Sequence, residues 1–387
     1  MVLLPRIDSV YVPAGAASII FFVAGTTCTW SSPEIPKLED ASENPFGRPI
    51  TPYEISWISS LLALGAIFGP FMFGYLADKI GRKNTMLCVG VPFLVSYTLM
   101  AVGTVVEIFY LARALAGISL GGTFIVLPMY LSEIAESKNR GLISCAAGCS
   151  CCMGLLFTVC FGPYKPIGYF NAVMAMPPLI FLVLFGILGV ESPIYLVKKQ
   201  QSDKAELILK HLGRSPEMIK KDIIEMQAEY QVKEEPFNTL DFFTIGRKVC
   251  LVISGVGMVL TEGTLGLFCY FKHEQYDLSD ITWIPIAALT TFIVFFNVGF
   301  GPLPWIIMAE MFSNKYKSFA IGFVATVAWV ASFLVTKCFD VAVTSFGMDN
   351  VFFFCALCCF LSIIFTTIYL IETKGKSLQE IQELLSK

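Results

Sequence analysis

Charge is what this sequence lacks most. Asp, Glu, Lys and Arg make up 15% of its 387 residues, against about 25% in a soluble domain. That deficit excludes an ordinary water-soluble globule. The net charge of −3 provides no basic field and excludes a nucleic-acid partner. Histidine is nearly absent, with only His211 and His273. The thirteen cysteines therefore have few imidazole partners with which to build a zinc site. Eight of them, Cys145, Cys149, Cys151, Cys152, Cys160, Cys355, Cys358 and Cys359, fall in apolar stretches. They are expected to serve as small packing residues between helices. No nucleophile, base and acid group together, so neither an enzyme nor a cofactor is expected.

What is present is apolar. Hydrophobic residues reach 56% and aromatics 14%, and mean hydropathy is +0.70. A helix crosses the hydrocarbon core with about 20 apolar residues. Nine such stretches carry no charge: 9–33, 55–77, 84–106, 114–132, 141–164, 166–190, 281–309, 318–336 and 350–371. A tenth, 249–270, is broken only by Glu262. The first stretch is long and lacks a small-residue cleavage pattern, so no cleavable leader is expected.

With the amino terminus inside, 21 Lys and Arg residues fall in inner segments. Only Lys37, Arg48, Lys165 and Lys272 fall in outer loops, and Arg113 and Lys337 lie at span edges. Basic residues favour cytoplasmic loops. The expectation is an all-α membrane protein with ten transmembrane helices and both termini cytoplasmic. A six-helix half covers 1–195 and a four-helix half covers 245–373, followed by a tail at 374–387. Between the halves, 196–244 is polar. Its apolar positions Leu207, Ile208, Leu212, Ile219, Ile223, Ile224 and Met226 have helical spacing and predict a cytoplasmic insert of amphipathic helices.

One short charged turn occurs twice. The first copy runs Gly74…Asp78-Lys79…Gly81-Arg82-Lys83, and Ile245-Gly246-Arg247-Lys248 is a fragment of it. Repeated loops of this kind mark membrane proteins built from two related halves. Further signatures follow in order. They are Arg113…Gly117…Gly121, Pro128-Met129-Tyr130-Leu131-Ser132-Glu133 with Arg140-Gly141, and Glu191-Ser192-Pro193. Next come Gly301-Pro302-Leu303-Pro304-Trp305 with Glu310 and Lys317, and Glu372-Thr373-Lys374-Gly375. On these residues the chain resembles the sugar porter family of the major facilitator superfamily, above all its facilitated trehalose transporters and their hexose-carrying relatives.

The resemblance implies a major facilitator helical bundle in the plasma membrane. It also implies facilitated transport of trehalose or a hexose by alternating access. Asp78, Arg82, Lys83, Glu133, Arg140, Glu191, Arg247, Glu310 and Lys317 would then form the cytoplasmic gate, and Thr26, Asn297, Trp305 and Trp329 would meet the sugar. Lys317 stands where the family commonly has Arg, which costs the gate a bidentate fork. Proton-linked relatives place an Asp in the first helix, and Ala24–Cys28 offers none, so a uniport is implied.

The family has twelve helices. Two should precede Arg247, as two precede Arg82, but the chain from Tyr195 to Arg247 is polar. Helices seven and eight are therefore expected to be missing at a junction near Leu240–Phe243, and with them a paired-glutamine sugar motif. Gly148 and Ala328 occupy two further positions where hexose carriers have polar contacts. Three alternatives stay open: a non-transporting deleted isoform that associates with a full-length transporter, an incomplete gene model, and a sugar-sensing membrane protein. The expected partners are a small sugar and the lipid bilayer.

Overall fold

In the computed structural model the described residues are 10–136, 139–231, 247–278, 281–301, 303–304 and 314–370. Among them the chain is helical. The helices are α1 Tyr11–Thr29, α2 Ser31–Glu39, α3 Pro52–Ile80, α4 Arg82–Val102, α5 Val106–Ile134, α6 Arg140–Phe161, α7 Ile167–Met174 and α8 Met176–Leu188. They continue with α9 Pro193–Lys198, α10 Ser202–His211, α11 Pro216–Gln231, α12 Arg247–His273, α13 Ile284–Val298, α14 Asn314–Phe346 and α15 Met348–Tyr369. Among the described residues nine helical stretches are long and apolar enough to span a membrane. The expected tenth span is represented by α13, whose 15 residues reach only about 22 Å, while residues 305–310 lie outside the described set.

The chain divides into two units. The first joins Met1–Lys233 with Val324–Lys337, and the second joins Glu234–Phe323 with Cys338–Lys387.

Local chemistry sets the helix limits in the first unit. Thr51 and Glu54 form a reciprocal capping box with Pro52 at the first helical position of α3, which satisfies otherwise orphaned donors. Gly81 ends α3 at φ +94°, a backbone conformation that costs glycine nothing. Close backbone approach then packs the helices. A Cβ on Gly65 of α3 would sit 2.2 Å from the Ala114 carbonyl of α5, and one on Gly117 would sit 2.1 Å from the Leu62 carbonyl. Gly25 of α1 and Gly154 of α6 meet the opposite helix's backbone as closely. These contacts fix the α3–α5 and α1–α6 pairs, as expected of membrane helices that associate through small residues. Around them Trp30, Phe93, Tyr97, Phe109, Tyr130 and Phe170 are buried.

Glycine, and not cysteine, does this packing. Among the described cysteines only Cys250 is fully buried, and Cys145, Cys149, Cys152 and Cys160 are exposed. They lie on the side of α6 away from its buried positions Ile143, Ala147, Gly154 and Thr158. The periodicity that placed cysteine in apolar helices could not say which face packs.

In the second unit α12 packs on α13 and α15, as α4 packs on α5, α7 and α8 in the first. The first unit also has α3 against α5 and α1 against α6. The described residues of the second unit hold no counterpart of either outer helix. The chain between Gln231 and Arg247 is too short for even one membrane span.

The polar insert forms α10 and α11, and its buried face matches the expected one at Ile208, Leu212, Ile219 and Met226 but not at Leu207 and Ile224. Ala205, Leu209, Leu212 and Ile219 are buried, while Leu207 and Ile224 are 68% and 65% exposed. The face is set by where Leu196, Val197 and Tyr195 meet Ala205 and Ile208, a tertiary contact that helical spacing alone does not specify.

Candidate functional site

At one end of the first unit α3 stops at Ile80 and α4 begins at Arg82, so a single residue separates two helix termini. The Arg82 guanidinium lies in this corner, with its side chain 8% exposed. Its Nε donates to Glu133 Oε2 at 2.9 Å and its Nη2 to Glu133 Oε1 at 3.1 Å. Its Nη1 donates to the Ala77 carbonyl at 2.9 Å and to Asp78 Oδ1 at 3.2 Å. One arginine thus ties the ends of α3, α4 and α5 together. The bidentate geometry is one that lysine could not supply.

Glu191 acts differently from a simple ion-pair partner. Its Oε1 accepts from the backbone N–H of Arg82 at 2.7 Å and of Lys83 at 3.1 Å. It therefore caps the amino terminus of α4, where orphan donors and the helix dipole favour an anion. A Cβ at residue 81 would stand 2.2 Å from Glu191 Oε2, so the glycine serves both the turn and the cap. Tyr195 closes the corner, its hydroxyl donating to the Lys79 carbonyl at 3.0 Å and its ring lying 5.5 Å from the Arg82 guanidinium carbon. Lys198 adds a looser pair to Asp78 at 3.4 Å.

Of the nine gate positions read from the sequence, Asp78, Arg82, Lys83, Glu133 and Glu191 are brought together. Lys83 takes part through its backbone. Arg140 opens α6. Arg247 lies in α12 and Lys317 in α14, with side chains outside the described set, and Glu310 is outside it altogether.

The sugar-contact positions are dispersed. The Thr26 hydroxyl is buried, held by the Val23 carbonyl at 2.8 Å and the Tyr97 hydroxyl at 2.9 Å, so it faces α4. Asn297 is exposed, its Nδ2 donating to the Ile293 carbonyl of its own helix. Trp329 sits on the first unit, its ring 6.4 Å from Phe124, which lies 5.5 Å from Phe21. Trp305 is outside the described residues.

Two buried polar groups escaped the sequence reading. Arg113, assigned to a span edge, lies inside α5 and is 1% exposed. It donates to the Ile58 carbonyl, the Thr27 carbonyl and Ser31 Oγ at 3.1, 3.2 and 3.1 Å, with its guanidinium carbon 5.0 Å from the Trp30 ring. Lys37, assigned to an outer loop, is also buried. It donates to Glu34 at 2.7 Å and to the Gly162 and Lys165 carbonyls. Asn171 accepts from Trp30 Nε1 at 2.8 Å beside Glu34. Charge counting treats every Lys and Arg as an anchor, and only packing reveals which are internal.

The sequence profile described as sugar (and other) transporter matches residues 29–244 and again 241–385. The chain belongs to this sugar transporter family. Curated relatives include the facilitated trehalose transporter Tret1 of Anopheles gambiae, 27% identical over 95% of this chain and 55% of that protein. Tret1 of Culex quinquefasciatus is 26% identical over 95% of this chain and 84% of its own length. The chain thus spans about half the length of the first and most of the second. Each alignment runs over 441 positions, more than the 387 residues of this sugar transporter family member, so the relatives carry positions that it lacks. Its fold is similar to that of the Escherichia coli xylose transporter XylE, in a structure described as its inward-open conformation. The TM-score is 0.79 at 18% identity, over 96% of this chain and 98% of that one. The chain is therefore a membrane protein of the major facilitator superfamily and not an enzyme.

Proposed function

We propose that this chain is a facilitative carrier scaffold for trehalose or a hexose, working by alternating access in the plasma membrane with both termini cytoplasmic. We further propose that the 387-residue form lacks the family's helices seven and eight. The observation that carries the transport reading is the Arg82 corner. Five charged positions there bind three helix ends in one state of the molecule, and such a lock has a function only if a second state breaks it.

Arg113 supports a uniport. At the point where a proton-linked carrier needs a titratable acid, its guanidinium is satisfied by two carbonyls and a hydroxyl. An intramembrane carboxylate is the usual proton relay, and none sits in that cluster among the described residues. Phe21, Phe124 and Trp329 supply an aromatic wall against which the C–H face of a sugar ring can lie, while Asn297 and Trp305 are proposed as contacts from the family resemblance alone. The two-part family match, meeting at 241–244, favours the missing pair.

The test is uptake of labelled trehalose and glucose into liposomes. The chain is assayed as it stands, and also with the Tret1 segment that it lacks inserted at Leu240. Background exchange by the first and saturable uptake by the second are expected. Saturable uptake by the unmodified chain would remove the missing wall as an explanation. No uptake by either would remove the sugar-carrier reading.

A further inference from the structure

Lys337 is the second cation that charge counting left at a span edge, and its surroundings are unlike those of any anchor. Its Nζ is buried, with no hydrogen-bond partner among the described residues. It lies 3.8 Å from the centroid of the Trp57 ring and 4.9 Å from that of Tyr53. The two rings meet edge-on, 6.2 Å apart at 77°, and form two walls of a corner. Ser56 Oγ donates to the Lys337 carbonyl at 3.1 Å. Positions 53, 56 and 57 share one face of α3 by helical spacing, so one turn of α3 grips one turn of α14.

Other lysines that lie over rings are farther away. Lys79 over Tyr75, Lys165 over Phe161 and Lys199 over Tyr195 stand at 5.4, 5.8 and 5.6 Å. Attraction between a cation and a π face strengthens with proximity and desolvation, so Lys337 holds the tightest of these contacts. That no carboxylate pairs with it among the described residues matters. Separating a buried ion pair strands a charge on each side, whereas a lysine leaving an aromatic corner returns to water and leaves two apolar rings behind. The contact is therefore firm when made and cheap to undo.

We propose that Lys337 is a releasable clasp, gripped by Trp57 and Tyr53, which fastens the Val324–Lys337 segment to the end of α3 opposite the Arg82 corner. The clasp and the corner stand about 25 residues apart along α3, or roughly 38 Å, so each end of that helix carries its own fastening. Its role in a transport cycle rests on the alternating-access reading, but the contact itself can be tested without sugar.

The test is amine labelling of the purified full chain with a hydrophilic N-hydroxysuccinimide ester, quantified by peptide mass spectrometry. Exposed Lys272 serves as the internal reference. Lys337 is expected to react about tenfold or more slowly than Lys272, and Trp57→Ala is expected to abolish most of that protection. Trp57→Phe keeps a ring face and is expected to fall between the two, so a folding failure of the alanine variant still leaves a graded result. Lys337→Arg is expected to retain the parent's melting temperature and Lys337→Met to lower it. Labelling of Lys337 at the rate of Lys272 in the unmodified chain, or protection unchanged by both Trp57 variants, would overturn the clasp. Uptake in the liposome assay decides the carrier reading separately, since a chain that moves no sugar still reports whether Lys337 is gripped.

Discussion

The two units use the same helix order to different effect. In the most apolar stretch of α5, 61% of residues are buried, and between Tyr11 and Glu39 the figure is 56%. In the second unit α12 reaches 44%, but in α15 the figure is 11%. Hydropathy does not explain this, since the α15 stretch is the most apolar at 2.6. The difference lies in neighbours. Among the described residues of the second unit α12 packs on α13 and α15, whereas the first unit adds α3 against α5 and α1 against α6. Apolar surface in a bilayer gains nothing from burial as such, because lipid is equally apolar. A membrane helix can therefore keep its place with few helical neighbours.

The largest expected effect that would break this comparison is steric. Gly65→Leu or Gly117→Leu drives a side chain into a backbone carbonyl of the facing helix and should prevent recovery of folded protein. Gly263→Leu in α12, where nothing lies within 4 Å of the added Cβ, should leave the yield unchanged. Size-exclusion chromatography in detergent reads both, and equal yields would deny that close packing distinguishes the units.

Next comes the buried corner. Arg82→Ala leaves Glu133, 10% exposed, without its partner, and removal of one member of a buried pair costs about 3–5 kcal/mol. Lys272→Ala at the exposed end of α12 should cost under about 0.5 kcal/mol. Thermal unfolding compares them.

A smaller loss, about 1–3 kcal/mol, is expected for Asn171→Ala, which strands the Trp30 indole N–H in the buried cluster. Double substitution with Trp30→Phe should recover part of it, and a fully additive double mutant would show that the bond does not form.

The smallest effect sharpens the reading of the cavity. Gly148→Gln enters open space at the position where hexose carriers hold a polar contact. It should leave the melting temperature within about a degree. In the version with the restored pair it should alter sugar affinity, measured as the half-saturation of uptake.

Much of this was legible in the linear chain. Membrane class, the six spans of the first half and the motif carboxylates and arginines follow from charge-free runs and fixed spacing, because a bilayer demands about 20 apolar residues per crossing whatever the tertiary context. Asp78, Arg82, Glu133 and Glu191 were recoverable because their charges interrupt or bound those runs. Glu191 as a cap on α4 was not, since only the fold brings residue 191 to the terminus at residue 82. Thr26 carried a motif position but no sign that Tyr97 claims its hydroxyl.

The sequence by itself determined that the chain crosses a membrane many times and where its charged turns fall. Those are one-dimensional constraints of length and polarity. The tertiary structure alone decided which cations are internal. Arg113, Lys37 and Lys337 look like every other basic residue in the chain. What sets them apart is the carbonyls of Thr27 and Ile58, the carboxylate of Glu34 and the rings of Trp57 and Tyr53, each delivered by a different segment whose approach no local pattern encodes.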